Sequence, residues 1–203
     1  MKIRSSSFEH RQRIPSEFAA GQASGDGYSF APNRNPHLAW DDVPASTNSF
    51  ALLCIDPDVP TDASPPKIPV AQPRTDFTHW AMVDIPADVR DIAAGSCSEG
   101  VTPHGKREPV GPAGSRQGLN DYTGWFANDP DMLGDWRGYD GPFPPPHDLR
   151  LHRYFFRVFA LDVARLDLPE RFTAADVLQA MQGHVLGEAS IYGTYSLNSD
   201  VTD

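Results

Sequence analysis

Proline and glycine set the outer limits of what this chain can fold into: 20 prolines and 16 glycines make up about 18% of its 203 residues. Proline inside a helix removes a hydrogen bond and clashes with the preceding turn, and glycine loses the most backbone entropy there, so this content argues against a helical bundle. Short strands joined by turns remain, and a mainly β architecture follows. At roughly 150 residues per domain the length fits a single domain spanning 1–203. With 39% hydrophobic and 22% charged residues the chain is too apolar to be disordered over its bulk.

Hydrophobic patterning locates the strands. Ser49-Phe50-Ala51-Leu52-Leu53-Cys54-Ile55-Asp56 is apolar on both alternating faces, as expected of a strand covered on both sides. Thr78 to Ile85 is a second strand, with His79, Ala81, Val83 and Ile85 expected on one face. Leu151 to Leu161 is a third, sending His152, Tyr154, Phe156 and Val158 to one side and Arg153, Phe155, Arg157 and Phe159 to the other. Ala189 to Tyr195 reads as a fourth. One short helix is expected behind Thr173-Ala174-Ala175-Asp176, a capping-box start, with Gly187 placed to end it. The 65 residues from Pro86 to Arg150 hold ten of the glycines and nine of the prolines and show little periodicity. Loops of that length in a compact domain are usually functional or partly disordered.

Charge and cysteine content narrow the partners. Seventeen basic against 27 acidic side chains leave a net charge of −10, which repels nucleic acid and anionic lipid surfaces, so an anionic ligand needs a local site. Cys54 and Cys97 have no metal-ligand spacing and read as buried thiols. The longest apolar run, Phe50–Ile55, has six residues where a membrane-spanning helix needs about 20, and the N-terminus lacks the apolar stretch of a secretory signal. The expected location is the cytoplasm.

Five polar side chains stand out. Asp56-Pro57-Asp58-Val59-Pro60 lies at the exit of the buried strand, where the prolines are expected to stop the ladder and present two carboxylates; a turn with solvated aspartates fits the same residues. Asp56 shares a face with Phe50, Leu52 and Cys54, and its desolvated carboxylate calls for a donor such as a histidine. His79 opens its strand among apolar neighbours, a setting that equally fits a satisfied core histidine. His152 and Tyr154 share a face behind the rigid Pro144-Pro145-Pro146, although ordinary edge positions would look the same.

Joined in order, Asp-Pro-Asp-x-Pro, His-Trp, a Gly/Pro-rich loop ending in prolines, and His-Arg-Tyr resemble the phosphatidylethanolamine-binding protein family, in its bacterial Raf kinase inhibitor-like form. Asn35-Pro36-His37-Leu38-Ala39-Trp40, Asn120-Asp121-Tyr122 and Gly138-Tyr139-Asp140-Gly141 extend the resemblance over about residues 25–197. The resemblance implies a β-sandwich with a central antiparallel Greek-key sheet, one or two short helices, and a small pocket for phosphate-like groups. Carried over by motif, its ligand-binding residues are Asp56, Asp58, His79, Pro146, His152 and Tyr154. No catalytic residue, metal or cofactor is implied. Residues 125–137 look like a loop insertion near the proline rim, and Ala63 to Phe77 is longer than the usual bacterial pattern. No helix is expected after Tyr195.

The expected function is non-catalytic binding of phosphate-containing small anions or a phosphoethanolamine head group, with regulation of a partner protein such as a kinase or peptidase. In the expected mechanism Asp56 orients His79 or His152 as a donor toward the anion, and affinity falls as that ring loses its charge. Two alternatives remain: a metal-dependent phosphoester hydrolase using the carboxylates and histidines, and an inhibitor acting by surface contact through Trp125, Phe126 and Trp136. Homodimerisation is a family-level expectation only.

Overall fold

A computed structural model of the chain describes residues 1–25 and 27–202. In chain order its strands are β1 (Lys2–Arg4), β2 (Gly21–Ser24), β3 (Gly27–Phe30), β4 (Leu38–Asp41), β5 (Ser49–Pro60), β6 (Arg74–Pro86), β7 (Asp91–Ile92), β8 (Arg116–Gln117), β9 (His152–Leu161) and β10 (Val185–Tyr195). Helix α1 (Tyr122–Trp125) precedes β9, and α2 (Ala174–Ala180) lies between β9 and β10. The central sheet has the order β10-β9-β5-β6-β8 and is antiparallel throughout. Within it β9 returns beside β5 on the side away from β6 and β8, which is the Greek-key order. A three-stranded sheet, β1-β4-β7, and the β2–β3 hairpin complete the architecture.

The all-apolar character of β5 is explained by what lies on its two sides. Phe50, Leu52 and Cys54 join Trp40, Trp80, Phe156 and Val158 in the core facing the smaller sheet. Ala51 and Leu53 join Ala81, Val83, Phe159 and Leu161 under Phe172, Val177 and Met181 of the α2 region. Burial of this kind on both sheet faces supplies the main drive for folding. No helix among the described residues is long and apolar enough to cross a membrane, and no helix follows Tyr195 up to residue 202.

Three sequence expectations are corrected here. First, the prolines after Asp56 do not end β5, which continues to Pro60. Its last pair with β9 is Ile55–Phe155, and its register with β6 slips between Asp56 and Val59, so the missing N–H of Pro57 falls where the ladder is already interrupted. Second, α2 begins as expected, with the Thr173 hydroxyl accepting from Asp176 N and the Asp176 carboxylate accepting from Thr173 N. It ends well before Gly187, however; Gly183, at φ +82°, supplies the left-handed turn, and Gly187 sits inside β10 at a bulge. Third, bulges break the expected face of β6. Ile85 packs with Trp80 and Met82, whereas Ala81 and Val83 face the other layer.

Candidate functional site

The antiparallel pairing of β5 with both β6 and β9 brings the end of β5 and the starts of the two flanking strands to one edge of the sheet. Cys54 pairs with Phe156 and Ile55 with Phe155, so Asp56 arrives level with Tyr154. On the other side Cys54 pairs with Trp80 but Ile55 pairs with Thr78. The register therefore skips His79, a bulge that re-aims its side chain toward the layer holding Tyr154; the two rings meet edge-on at 5.1 Å. Asp56, His79, His152 and Tyr154 together line one small cavity of about 30 Å³, closed by Phe77, Tyr122, Trp125, Phe143, Pro144 and Pro145. All four polar residues are buried.

The two histidines are held differently. His152 Nδ1 bonds Asp56 Oδ2 at 2.6 Å and its Nε2 bonds Asp148 Oδ2 at 3.0 Å. Carboxylates on both nitrogens require a doubly protonated ring. Burial alone would strip that proton, but the hydrogen bonds to Asp148 and Asp56 outweigh it and push the imidazole up to about 9. Burial also opposes ionisation of Asp148, yet bonds from His152, Arg74 and the Arg150 amide hold its carboxyl at about 2. Arg74 grips Asp148 through two guanidinium nitrogens. His152 is therefore fully committed within the protein, and the expected role as donor to a ligand does not fit it.

His79 Nδ1 lies 2.8 Å from the Asp140 carbonyl, which can only accept, so Nδ1 carries the hydrogen. Among the described residues no protein group bonds Nε2, which is left facing the cavity. Burial pushes the imidazole below its usual range, against the opposing pull of Asp56, the Asp140 carbonyl, Asp121 and the Asp140 carboxylate. The ring is accordingly neutral at neutral pH, with Nε2 a lone-pair acceptor. Asp56 also accepts, from His152 and from the Asp58 amide at 2.8 Å. Burial, with Asp56 beside it, pushes the Tyr154 phenol well above its usual range, so it stays a neutral hydroxyl.

The other two sequence candidates stand aside. Asp58 is buried but does not line the cavity. Arg153 reaches it through Nε at 2.8 Å and Nη2 at 3.0 Å, and Arg150 Nε lies 2.8 Å from it. Burial resists its ionisation, but Arg153 and Arg150 draw the carboxyl below its usual range. Pro146 lines an adjoining apolar basin of about 760 Å³ instead, with Tyr28, Phe30, Phe126 and His147. Tyr122, Trp125, Phe143, Pro144 and Pro145 border both spaces. Residues 125–137 divide their aromatics: Trp136 is buried and packs on Phe126 and Tyr122, whereas Trp125 is 55% exposed at the mouth.

Sequence reasoning gave no role to the residues that frame His79. The Asp121 carboxylate accepts from Thr78 N at 2.6 Å, and Asp121 N donates to Thr78 O, tying Asn120-Asp121-Tyr122 to β6 just before His79. Asp140, buried, accepts from Asn33, Asn120 and Lys106. At Gly141 a Cβ would meet the Phe18 carbonyl at 2.2 Å, so only glycine allows this close approach. The available signals were the Asn-Asp-Tyr and Gly-Tyr-Asp-Gly elements themselves. Asp148, one helical turn before His152 in spacing, carried no comparable mark.

Comparison with known proteins matches this architecture. The family model described as phosphatidylethanolamine-binding protein covers residues 4–196. A UPF0098 protein of Methanothermobacter thermautotrophicus is 37% identical over 96% of this chain and 98% of its own. The UPF0098 protein YbhB of Escherichia coli is 33% identical, covering 97% of this chain and all of its own. Among solved structures, Escherichia coli YbcL, described as a new member of the mammalian PEBP family, superposes with a TM-score of 0.70 at 25% identity, covering 96% of this chain and 97% of its own. The putative PEBP homologue CT736 of Chlamydia trachomatis gives 0.64 at 27% identity, covering 96% of each chain. The chain belongs to the phosphatidylethanolamine-binding protein family.

Proposed function

We propose that the protein is a non-catalytic binder of small phosphate-type anions, among them phosphate monoesters and phosphoethanolamine, at the cavity between β5, β6 and β9. The observation that carries this is the convergence of Asp56, His79 and Tyr154 on one enclosed space, braced from behind by the Asp56–His152–Asp148 chain. Of the two cavity histidines, His79 is the one whose ring nitrogen is left open among the described residues, and it becomes the contact group in place of His152. The adjoining basin takes the apolar substituent of the same ligand.

Several features favour binding over turnover. The Cys54 thiol is buried in the core and pushed well above its usual range by burial and by Asp56, and the Tyr154 phenol is likewise held protonated, so neither is a ready nucleophile. Among the described residues no group of three or more His, Cys, Asp and Glu is placed to hold a metal ion. For regulation of a kinase or peptidase by surface contact, Trp125 is the aromatic of the insertion that is free to act, since Phe126 and Trp136 fasten the loop.

Calorimetric titration with phosphoethanolamine and with phenyl phosphate tests the proposal. Saturable one-to-one binding is expected, weakened by Tyr154→Phe, with no phosphate released on prolonged incubation. Absence of binding, or steady phosphate release, would contradict it.

A further inference from the structure

The cavity is richer in acceptors than a site for a bare oxyanion should be. His79 Nδ1 is committed to the Asp140 carbonyl, so Nε2 presents a lone pair. Asp56 presents a carboxylate whose two oxygens each accept one internal bond and keep capacity for another. The Tyr122 hydroxyl is spent on the Gly141 carbonyl at 2.8 Å. Both His152 nitrogens are spent on carboxylates, and Arg150 and Arg153 are closed on Asp58, which does not line the cavity. Among the described lining side chains the donors left for a ligand are the Tyr154 hydroxyl, which lies beside the Asp56 carboxylate, and the half-exposed Trp125 indole N–H.

We infer that the site takes its phosphate monoester with a proton on it, and rejects oxyanions that have none to give. A monoprotonated phosphate turns its P–OH toward His79 Nε2 or Asp56 and lays an unprotonated oxygen against the Tyr154 hydroxyl, so every group is matched. A sulfate ester or a phosphodiester carries the same single negative charge but no hydrogen. It would set oxygen lone pairs against the imidazole lone pair and the carboxylate, and an unpaired buried acceptor is the costlier fault. Protonating His79 would relieve the mismatch. The groups facing that ring are the Asp56, Asp121 and Asp140 carboxylates, which favour the proton, but its enclosure by Phe77, Tyr122 and Tyr154 disfavours charge, and the balance lies on the neutral side. This inference rests on the oxyanion reading and narrows it: the ligand class is the phosphate monoester, not the diester of an intact phospholipid.

The test is calorimetry of the full chain with phenyl phosphate, phenyl sulfate and ethyl phenyl phosphate, each at pH 6, 7 and 8 in two buffers of different ionisation enthalpy. Phenyl phosphate is expected to bind at least tenfold tighter than either competitor at pH 6. Its affinity should fall about tenfold from pH 7 to pH 8, because a phosphate monoester loses its second proton near pH 6, with close to one proton taken up per ligand at pH 8. Phenyl sulfate or the diester binding as tightly as phenyl phosphate, or an affinity flat from pH 6 to 8, overturns the inference while leaving oxyanion binding intact. No binding by any of the three overturns both.

Discussion

His152 and His79 line the same cavity from the two strands that flank β5, yet they are built for opposite purposes. His152 is enclosed between Asp56 and Asp148, with Arg74 behind, so its charge is balanced by protein and both nitrogens are satisfied. His79 is anchored by one nitrogen to a backbone carbonyl and keeps the other open. The first arrangement holds strands β5 and β9 and the Pro146–Leu151 approach together. The second leaves a single ring nitrogen open to the cavity. Identical side chains thus divide into a strut and, in the proposed function, a contact group, and whether carboxylates bond both ring nitrogens directly decides which is which.

The contrast breaks most visibly in stability. His152→Ala leaves Asp56 and Asp148 buried without their shared cation, and removing one partner of such a pair costs about 3–5 kcal/mol. Urea unfolding should show a loss of that size. For His79→Gln the expected loss is about 1 kcal/mol, one neutral hydrogen bond. Equal losses from the two substitutions would erase the distinction.

The same contrast appears on the pH axis. The His152 imidazole is raised from 6.5 in the unfolded chain to about 9 in the fold. Its contribution is fully present below pH 6.5 and disappears as the pH rises toward about 9, a loss on the order of 3 kcal/mol. His79, lowered in the fold by burial, contributes in the opposite sense, its stability being lost as pH falls below 6.5. Thermal unfolding from pH 5 to 9.5 should therefore show an alkaline decline that Asp148→Asn flattens and His79→Gln leaves in place.

Binding reverses the ranking. His79→Gln should weaken phenyl phosphate at least tenfold, about 1.4 kcal/mol, with the fold intact by circular dichroism. The smallest effect belongs to Trp125→Ala: a few-fold loss of phenyl phosphate affinity, no change for inorganic phosphate, and stability within about 0.5 kcal/mol. An equal effect on both ligands would remove the basin from the account.

Much of this was legible before any coordinates, because period and punctuation record burial. The β5 run showed a strand covered on both faces, and Thr173 with Asp176 showed where α2 starts. Asp56, His79, His152 and Tyr154 could be grouped because the sequence pattern places each near a strand end. What the sequence hid were departures from regular pairing. The skipped residue at His79 turns a side chain that simple alternation assigns to the other layer, and alternation has no signature for a bulge. Nor could spacing reveal that Asp148 would take the second nitrogen of His152, or that Asp58 would be claimed by Arg150 and Arg153. Those contacts join segments from loop to strand, and which arginine reaches which carboxylate is settled only by packing.

The central claim is that one histidine of the cavity is a charged strut and the other a neutral acceptor. Nitrogen-15 NMR of the imidazole rings in the ligand-free protein at pH 7 addresses it directly. The account predicts a doubly protonated His152 and a neutral His79 bearing its hydrogen on Nδ1, with Nε2 bare. A neutral His152, or a His79 that carries hydrogen on Nε2, would contradict it.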